Sequence, residues 1–295
     1  MHEGRAGLPF LQTLALTAAA MLAFAANSLL CRLALQRGLI DPASFASIRL
    51  VAGAVTLAVI VRLRSDRPAP GHADWLAATM LFAYVAFFSF AYLSLPAGTG
   101  ALILFGAVQV TMFSVGLRSG ERFRPLAWFG LALAVAGLVY LVSPGVAAPA
   151  PLGAAMMATA GVAWGVYSLR GRGVTDPLAA TAGNFVRAAP LALVLSLLLA
   201  GNVHADAAGV ALAIASGAVT SGIGYVIWYA ALSRLSAIRA ATVQLSVPLI
   251  AAFGGVLLLS EAITPRLLAA SVAILGGIAL VLATKSQGLR PPRPA

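Results

Sequence analysis

The sequence predicts an all-α integral membrane protein of ten transmembrane helices, built as two inverted five-helix repeats. Three observations predict it. Of 295 residues, 61% are hydrophobic and only 9% charged, where a soluble domain carries about 25% charged residues. The few charges fall between apolar blocks of near-spanning length. Finally, a shift that brings Pro125 onto Pro265 lays the fourth and fifth blocks over the ninth and tenth without a gap.

The first block, Phe10–Leu35, leads directly into further spans, so it reads as a membrane helix and not as a signal peptide. Gly38 to Pro42 turns the chain into the second, Ser44–Val61, and Arg67 to Asp74 into the third, Trp75–Leu95. The fourth and fifth are Thr99–Leu117 and Leu126–Val142. Pro144 to Pro151 leads to the sixth, Leu152–Leu169, and Gly171 to Pro177 to the seventh, Leu178–Leu199. The last three are Ala207–Leu232, Ala240–Leu259 and Pro265–Ala283. None shows the polar–apolar alternation of a membrane barrel, and the connectors are too short for a soluble domain.

Charge sets the orientation. With a cytoplasmic N-terminus, one side holds Arg5, Arg62, Arg64, Arg67, Arg118, Arg122, Arg124, Arg170, Arg172, Arg234, Arg239, Lys285, Arg290 and Arg293. The other holds only Arg32, Arg37 and Arg266. This bias predicts both termini in the cytoplasm. Lys285 is the single lysine, which points to a GC-rich bacterial gene and so to a bacterial inner membrane. The net charge of +11 does not imply nucleic acid, because the arginines sit at block ends and form no stripe with aromatics between them.

In the repeat, Leu95, Ala97, Ala101, Phe113, Leu117, Glu121, Pro125 and Gly137 meet Leu235, Ala237, Ala241, Phe253, Leu257, Glu261, Pro265 and Gly277. Asp41-Pro42 resembles Asp176-Pro177, and His72-Ala73-Asp74 resembles His204-Ala205-Asp206. Five helices per half is odd, so the second half enters the membrane from the opposite side, as in many secondary transporters. The halves are residues 1–143 and 152–284, followed by a cytoplasmic tail, 285–295.

These features resemble the drug/metabolite transporter superfamily, specifically its ten-helix EamA type. The second half carries the resemblance best, in Val247-Pro248-Leu249, Leu259-Ser260-Glu261-Ala262-Ile263-Thr264 and Gly276-Gly277. The first half departs from it at Val108-Gln109, where a proline is common, and in the basic stretch Gly120-Glu121-Arg122-Phe123-Arg124. Aromatic helices 3, 6 and 8 make the chain similar to YddG-type amino-acid exporters. The resemblance implies a central cavity, alternating access and export of small metabolites.

Candidate substrate contacts are side chains too polar for lipid. Tyr84, Phe88 and Tyr92 form one stripe, Trp164 and Tyr167 with Ser168 a second, and Tyr225, Trp228 and Tyr229 a third. Tyr and Trp suit a wet wall or the membrane interface; Trp75 and Trp128, at helix starts, read as interfacial. Asn27, Gln109, Asn184 and Gln244 should face inward, onto substrate or as interhelical glue. Gln244 shares a face with Pro248, which removes a helix hydrogen bond.

Arg49 and Arg187 are the charges well inside helices, each costing about 2.5–3.5 kcal/mol to insert. Arg49 lies near its helix start and can snorkel, whereas Arg187 lies deeper and cannot, so Arg187 is the stronger candidate. Glu121 and Glu261, just before Pro125 and Pro265, read as charges opposing the dipole of the helix that follows each. Gly161-x-x-x-Gly165, Gly222-x-Gly224, Gly254-Gly255 and Gly276-Gly277 read as packing contacts.

No cofactor is expected. There is no Walker-type phosphate loop, and Cys31, the only cysteine, allows neither a disulfide nor a thiol metal cluster. The expected partners are a small-molecule substrate and membrane lipids, and a monomer is compatible with the pattern. Drug, sugar and nucleotide-sugar carriers are the alternatives within transport. An intramembrane enzyme or a scaffold fits less well, since His2, His72 and His204 and every acid lie outside the blocks. For the same reason facilitated movement is expected in place of proton coupling through a buried carboxylate.

Overall fold

The computed structural model describes residues 4–64, 74–118, 120, 124–145, 148–171, 174–235, 240 and 243–286, with side chains from 11 to 283. Among these the chain is all-helical. Eight helices are long and apolar enough to cross a membrane: α1 (Gly4–Gln36), α2 (Pro42–Leu63), α4 (Ala97–Arg118), α5 (Pro125–Val142), α6 (Pro151–Arg170), α7 (Pro177–Leu198), α8 (Ala207–Leu232) and α10 (Pro265–Ser286). Two more are apolar but shorter, α3 (Trp75–Ala91) and α9 (Ser246–Leu259).

Both short helices stop inside their predicted blocks for local reasons. α3 ends before Leu95 because Leu93, Ser94 and Leu95 turn back onto the Phe90 and Ala91 carbonyls. α9 starts late because Pro248 has no N–H for the Gln244 carbonyl four residues earlier, and the helix breaks at Leu245. α8 is continuous, but Ala215–Ile223 is wound as a π-helix.

Acidic side chains start the helices. Asp41 accepts from the Ser44 N–H at 2.9 Å, Asp74 from Leu76 at 2.9 Å, Asp176 from Ala179 at 3.1 Å and Asp206 from Gly209 at 2.7 Å. Each carboxylate satisfies an orphan N–H at the positive end of a helix dipole. Glu261 does the same job, but not for α10 as its position before Pro265 predicts. It accepts from the Ala97 N–H of α4 at 2.8 Å and takes the Arg32 Nε at 3.1 Å. The cause is Ser260, in the left-handed conformation at φ 55°, which folds the turn back so that both its own N–H and that of Glu261 reach the Gly255 carbonyl. Glu121 lies outside the described residues.

Polar contacts sort the loops into two ends, alternating along the chain. One end, rich in arginine, holds the pairs Arg64–Asp176 at 3.2 Å and Arg170–Asp74, and the Arg234–Gln12 hydrogen bond at 2.7 Å. The opposite end holds Arg32–Glu261, the Asp41–His204 backbone bond at 2.9 Å, and Arg266 on the Leu141 and Ser143 carbonyls.

The packing is exchange-symmetric. α2 lies on α7 and α5 on α10; α3 lies on α6 and α7, while α8 lies on α1 and α2; α4 lies on α6, and α9 on α1. Small residues permit the closest crossing. A Cβ at Gly137 would stand 2.9 Å from Ala273 Cβ, and one at Gly277 would run into the Gly130 carbonyl and stand 2.7 Å from the Ala134 N. Gly276, one residue away, has nothing within 4 Å. Gly277→Leu should therefore cost about 1–3 kcal/mol by overpacking, while Gly276→Leu should be near neutral. Thermal unfolding in detergent compares the two, and equal melting temperatures would contradict this packing.

Candidate functional site

The helices do not close completely along the middle of the bundle. A cavity of about 740 Å³ reaches inward from Asp74, Arg170, Gly171 and Pro177 at the arginine-rich end. At its mouth Arg170 donates from Nε to Asp74 Oδ2 at 2.6 Å. That hydrogen bond, and the Leu76 N–H, hold the Asp74 carboxyl below its ordinary range, so it is ionised at neutral pH.

The walls come from both halves of the chain. Val108, Gln109 and Phe113 of α4 face Tyr167 and Ser168 of α6. Thr181 and Asn184 of α7 face Trp228 and Tyr229 of α8, and Ile278 and Leu282 of α10 complete the wall. Thr181 joins two of the aromatic tips, accepting from the Tyr167 hydroxyl at 3.5 Å and sharing a 2.8 Å hydrogen bond with the Tyr229 hydroxyl. The Asn184 Oδ1 is buried without a partner, an open acceptor on the cavity wall.

The inner end of the cavity is a collar of Phe24, Trp164, Tyr225 and Gln244, which also bounds a second chamber of about 40 Å³ beyond it. The collar rings touch: Trp164 lies 5.8 Å from Tyr225, and Phe24 lies 6.0 Å from Tyr225. The chamber behind them is polar. Asn27, Ser28, Arg49, Tyr84, Thr220 and Ser221 line it, with Phe88, Leu104 and Phe105. Asn27 accepts from Ser216 at 2.6 Å and Thr220 at 3.3 Å and donates to the Tyr84 hydroxyl at 3.4 Å. Arg49 donates to the Tyr84 hydroxyl at 3.1 Å and to Ser221 at 3.3 Å. Ser216, Thr220 and Ser221 all belong to the π-helical stretch of α8, whose wider turn presents them together.

Of the predicted contacts, Asn27, Tyr84 and Phe88 line the chamber; Gln109, Tyr167, Asn184 and Trp228 line the large cavity; Trp164, Tyr225 and Gln244 line both. Two lie elsewhere. Tyr92 is fully buried at the α3–α4 turn, its hydroxyl donating to the Ala97 carbonyl at 3.3 Å and its ring filling the space over Gly100. Arg187 does what its depth was expected to forbid. It reaches along α7 to the Gly183 carbonyl at 3.3 Å and over the exposed Trp75 ring at 5.8 Å.

Arg49 is the reverse case. Its position near a helix start predicts snorkelling, yet it is 2% exposed. Gly217 brings the α8 backbone against the Arg49 backbone, and the rings of Tyr84 and Phe88, 5.4 Å apart, lie together beside the guanidinium at 5.2 and 5.1 Å. The serines and threonines of helix 8 were also passed over, although Ser216, Thr220 and Ser221 are a polar stripe in an otherwise apolar helix. Among the described residues no three metal-ligating side chains cluster.

Apolar helices of spanning length packed around an internal cavity define a multi-pass membrane protein. Residues 151–283 match the EamA-like transporter family. A Pseudomonas aeruginosa protein, "Uncharacterized protein PA1977", is 52% identical over 278 residues, covering 94% of this chain and 97% of that protein. A protein of solved crystal structure shares the fold, with a TM-score of 0.65 at 20% identity over 92% of this chain and 98% of its own. The EamA-like domain over residues 151–283 supports a place for the chain in the drug/metabolite transporter superfamily.

The end of the bundle away from the cavity mouth depends on Arg32, which also donates to the Tyr92 and Leu93 carbonyls at 2.9 and 3.1 Å. Glu261→Ala would leave that guanidinium without its carboxylate and the α4 N-terminus uncapped. The loss should be about 1.5–3 kcal/mol, read as a lower melting temperature in detergent. An unchanged melt would mean that Arg32 is held by the two carbonyls alone.

Proposed function

We propose that the protein exports small organic metabolites, foremost amino acids with aromatic or other hydrophobic side chains, from a bacterial cytoplasm by alternating access. The observation that carries this reading is the cavity of about 740 Å³, walled by aromatic and carboxamide side chains and lined toward one end by Asp74 and Arg170. Such a volume matches a small-molecule site, and tyrosine and tryptophan offer an apolar face with a polar edge to a similar solute. The opposite end is tied by Arg32–Glu261, as one of two alternating states requires.

The reading takes α1–α10 as ten spans in two inverted halves, 1–143 and 152–284, with the tail 285–295 and both termini cytoplasmic. The exchange-symmetric packing supports the halves, and the arginine bias supports the orientation. The cavity mouth then faces the cytoplasm, where an exporter loads. On a Cys31→Ser background, Gly201→Cys should react with an impermeant thiol reagent on intact cells and Ser233→Cys only after permeabilisation. The opposite pattern would invert the orientation.

Flux tests the activity itself. Purified protein in liposomes should equilibrate L-phenylalanine or L-leucine across the membrane without concentrating it under an imposed pH gradient. All five described acids outside the unplaced segments serve helix starts, so none is free to relay a proton. Trp164→Ala and Gln244→Ala should each slow that flux several-fold, by about the tenfold per 1.4 kcal/mol of lost contact, without lowering protein level. Flux of sugars, nucleotide sugars or cationic drugs in place of amino acids would assign another substrate class of the superfamily.

A further inference from the structure

The guanidinium of Arg49 is a charge without an answer. It lies among α2, α3 and α8, 2% exposed, and among the described residues no carboxylate comes within ion-pair distance. Arg32 and Arg266 illustrate how a structural arginine is satisfied in this protein: one holds a glutamate and two carbonyls, the other two carbonyls. Arg49 instead holds two neutral hydroxyls, of Tyr84 and Ser221. Its Nη1 is buried and bonds to nothing.

The surroundings give that open edge a direction. Tyr84 and Phe88 lie beside the guanidinium, whose donors all lie in its own plane. The chamber it lines has about 40 Å³ of free space, room for ~3 waters or for one planar oxyanion group. Ser28, Thr220 and Ser221 place further hydroxyls there. The chamber adjoins the large cavity at the collar of Phe24, Trp164, Tyr225 and Gln244.

We propose that Arg49 is the anion-binding residue of the transport site, its Nη1 edge taking the carboxylate of a monocarboxylic solute whose apolar body lies in the large cavity. The proposal rests on the carrier reading and adds the group that is recognised: the carboxylate, not the amine. One guanidinium matches one negative charge. A phosphate dianion would need a second cation, and no other basic residue lines the chamber.

The test compares four ligands on one phenyl skeleton with the purified full-length protein: L-phenylalanine, 3-phenylpropionate, phenethylamine and phenyl phosphate. Thermal stabilisation reports binding. Phenylalanine and phenylpropionate should both stabilise the wild type, and phenethylamine and phenyl phosphate should not. Arg49→Gln should fold and weaken both acids by about tenfold or more. Phenethylamine binding as well as the acids, phenyl phosphate binding better than they do, or unchanged acid affinity in Arg49→Gln would each overturn the proposal. If Arg49→Gln does not fold, the wild-type comparison decides alone, and no stabilisation by either acid rejects the site. Liposome flux separates the two claims. Flux of phenethylamine without flux of the acids keeps the carrier and removes Arg49 as its anion site, whereas a protein that moves none of the four fails as the proposed carrier.

Discussion

Inside a membrane, a polar group without a partner costs several kcal/mol, and water is not there to supply one. Most of this structure follows from that constraint. Each helix start exposes N–H groups, and the chain spends its scarce acids on them: Asp41, Asp74, Asp176 and Asp206 each cap the helix that they precede. Glu261 goes further, because it caps α4 from the α9–α10 turn and binds Arg32 of α1 as well. One carboxylate thus ties together three segments distant in sequence, at the end of the bundle opposite the cavity mouth.

The same constraint explains where the cavity lies. Lipid provides no hydrophobic drive for helices to associate, so close packing depends on small residues. Gly130, Gly137 and Gly277 supply it between α5 and α10, and Gly161 and Gly165 supply it between α6 and α4. At the centre the facing side chains are large and polar-tipped. Trp164, Tyr167, Tyr225 and Tyr229 cannot interdigitate as glycine and alanine do, and the indole N–H and the phenol hydroxyls need partners. The outcome is a void with polar-tipped walls inside a shell of close contacts, of the size of a small-molecule site.

Much of this was legible in the sequence, since a membrane makes polarity conspicuous. Helix positions followed from hydropathy, and ten of the twelve candidate contacts line a cavity because a carboxamide or a tyrosine within a span has to face inward. The misses share one origin: they depend on what a side chain meets, which no single helix specifies. Tyr92 belongs to the same stripe as Tyr84 and Phe88, but α3 ends at Ala91 and the stripe leaves the cavity there. The partner of Glu261 depends on the left-handed Ser260. The π-helical winding of α8 leaves no mark in composition, although it brings Ser216, Thr220 and Ser221 onto Asn27 and Arg49.

The two intramembrane arginines carry this argument furthest. They sit on α2 and α7, which pack against each other, and depth alone ranks Arg187 as the buried one. The neighbours reverse the ranking. Trp75 and the Gly183 carbonyl give Arg187 a route toward the bundle surface. For Arg49, Gly217 lets α8 close against its backbone, the rings of Tyr84 and Phe88 lie beside its guanidinium, and the side chain is buried. Snorkelling is therefore a property of the path to the interface as much as of its length. A charge denied that path has to be matched from within, and the described protein offers Arg49 only two hydroxyls. Of these two facing helices, one holds an arginine turned toward the surface and the other an arginine buried beside the small chamber at the inner end of the cavity.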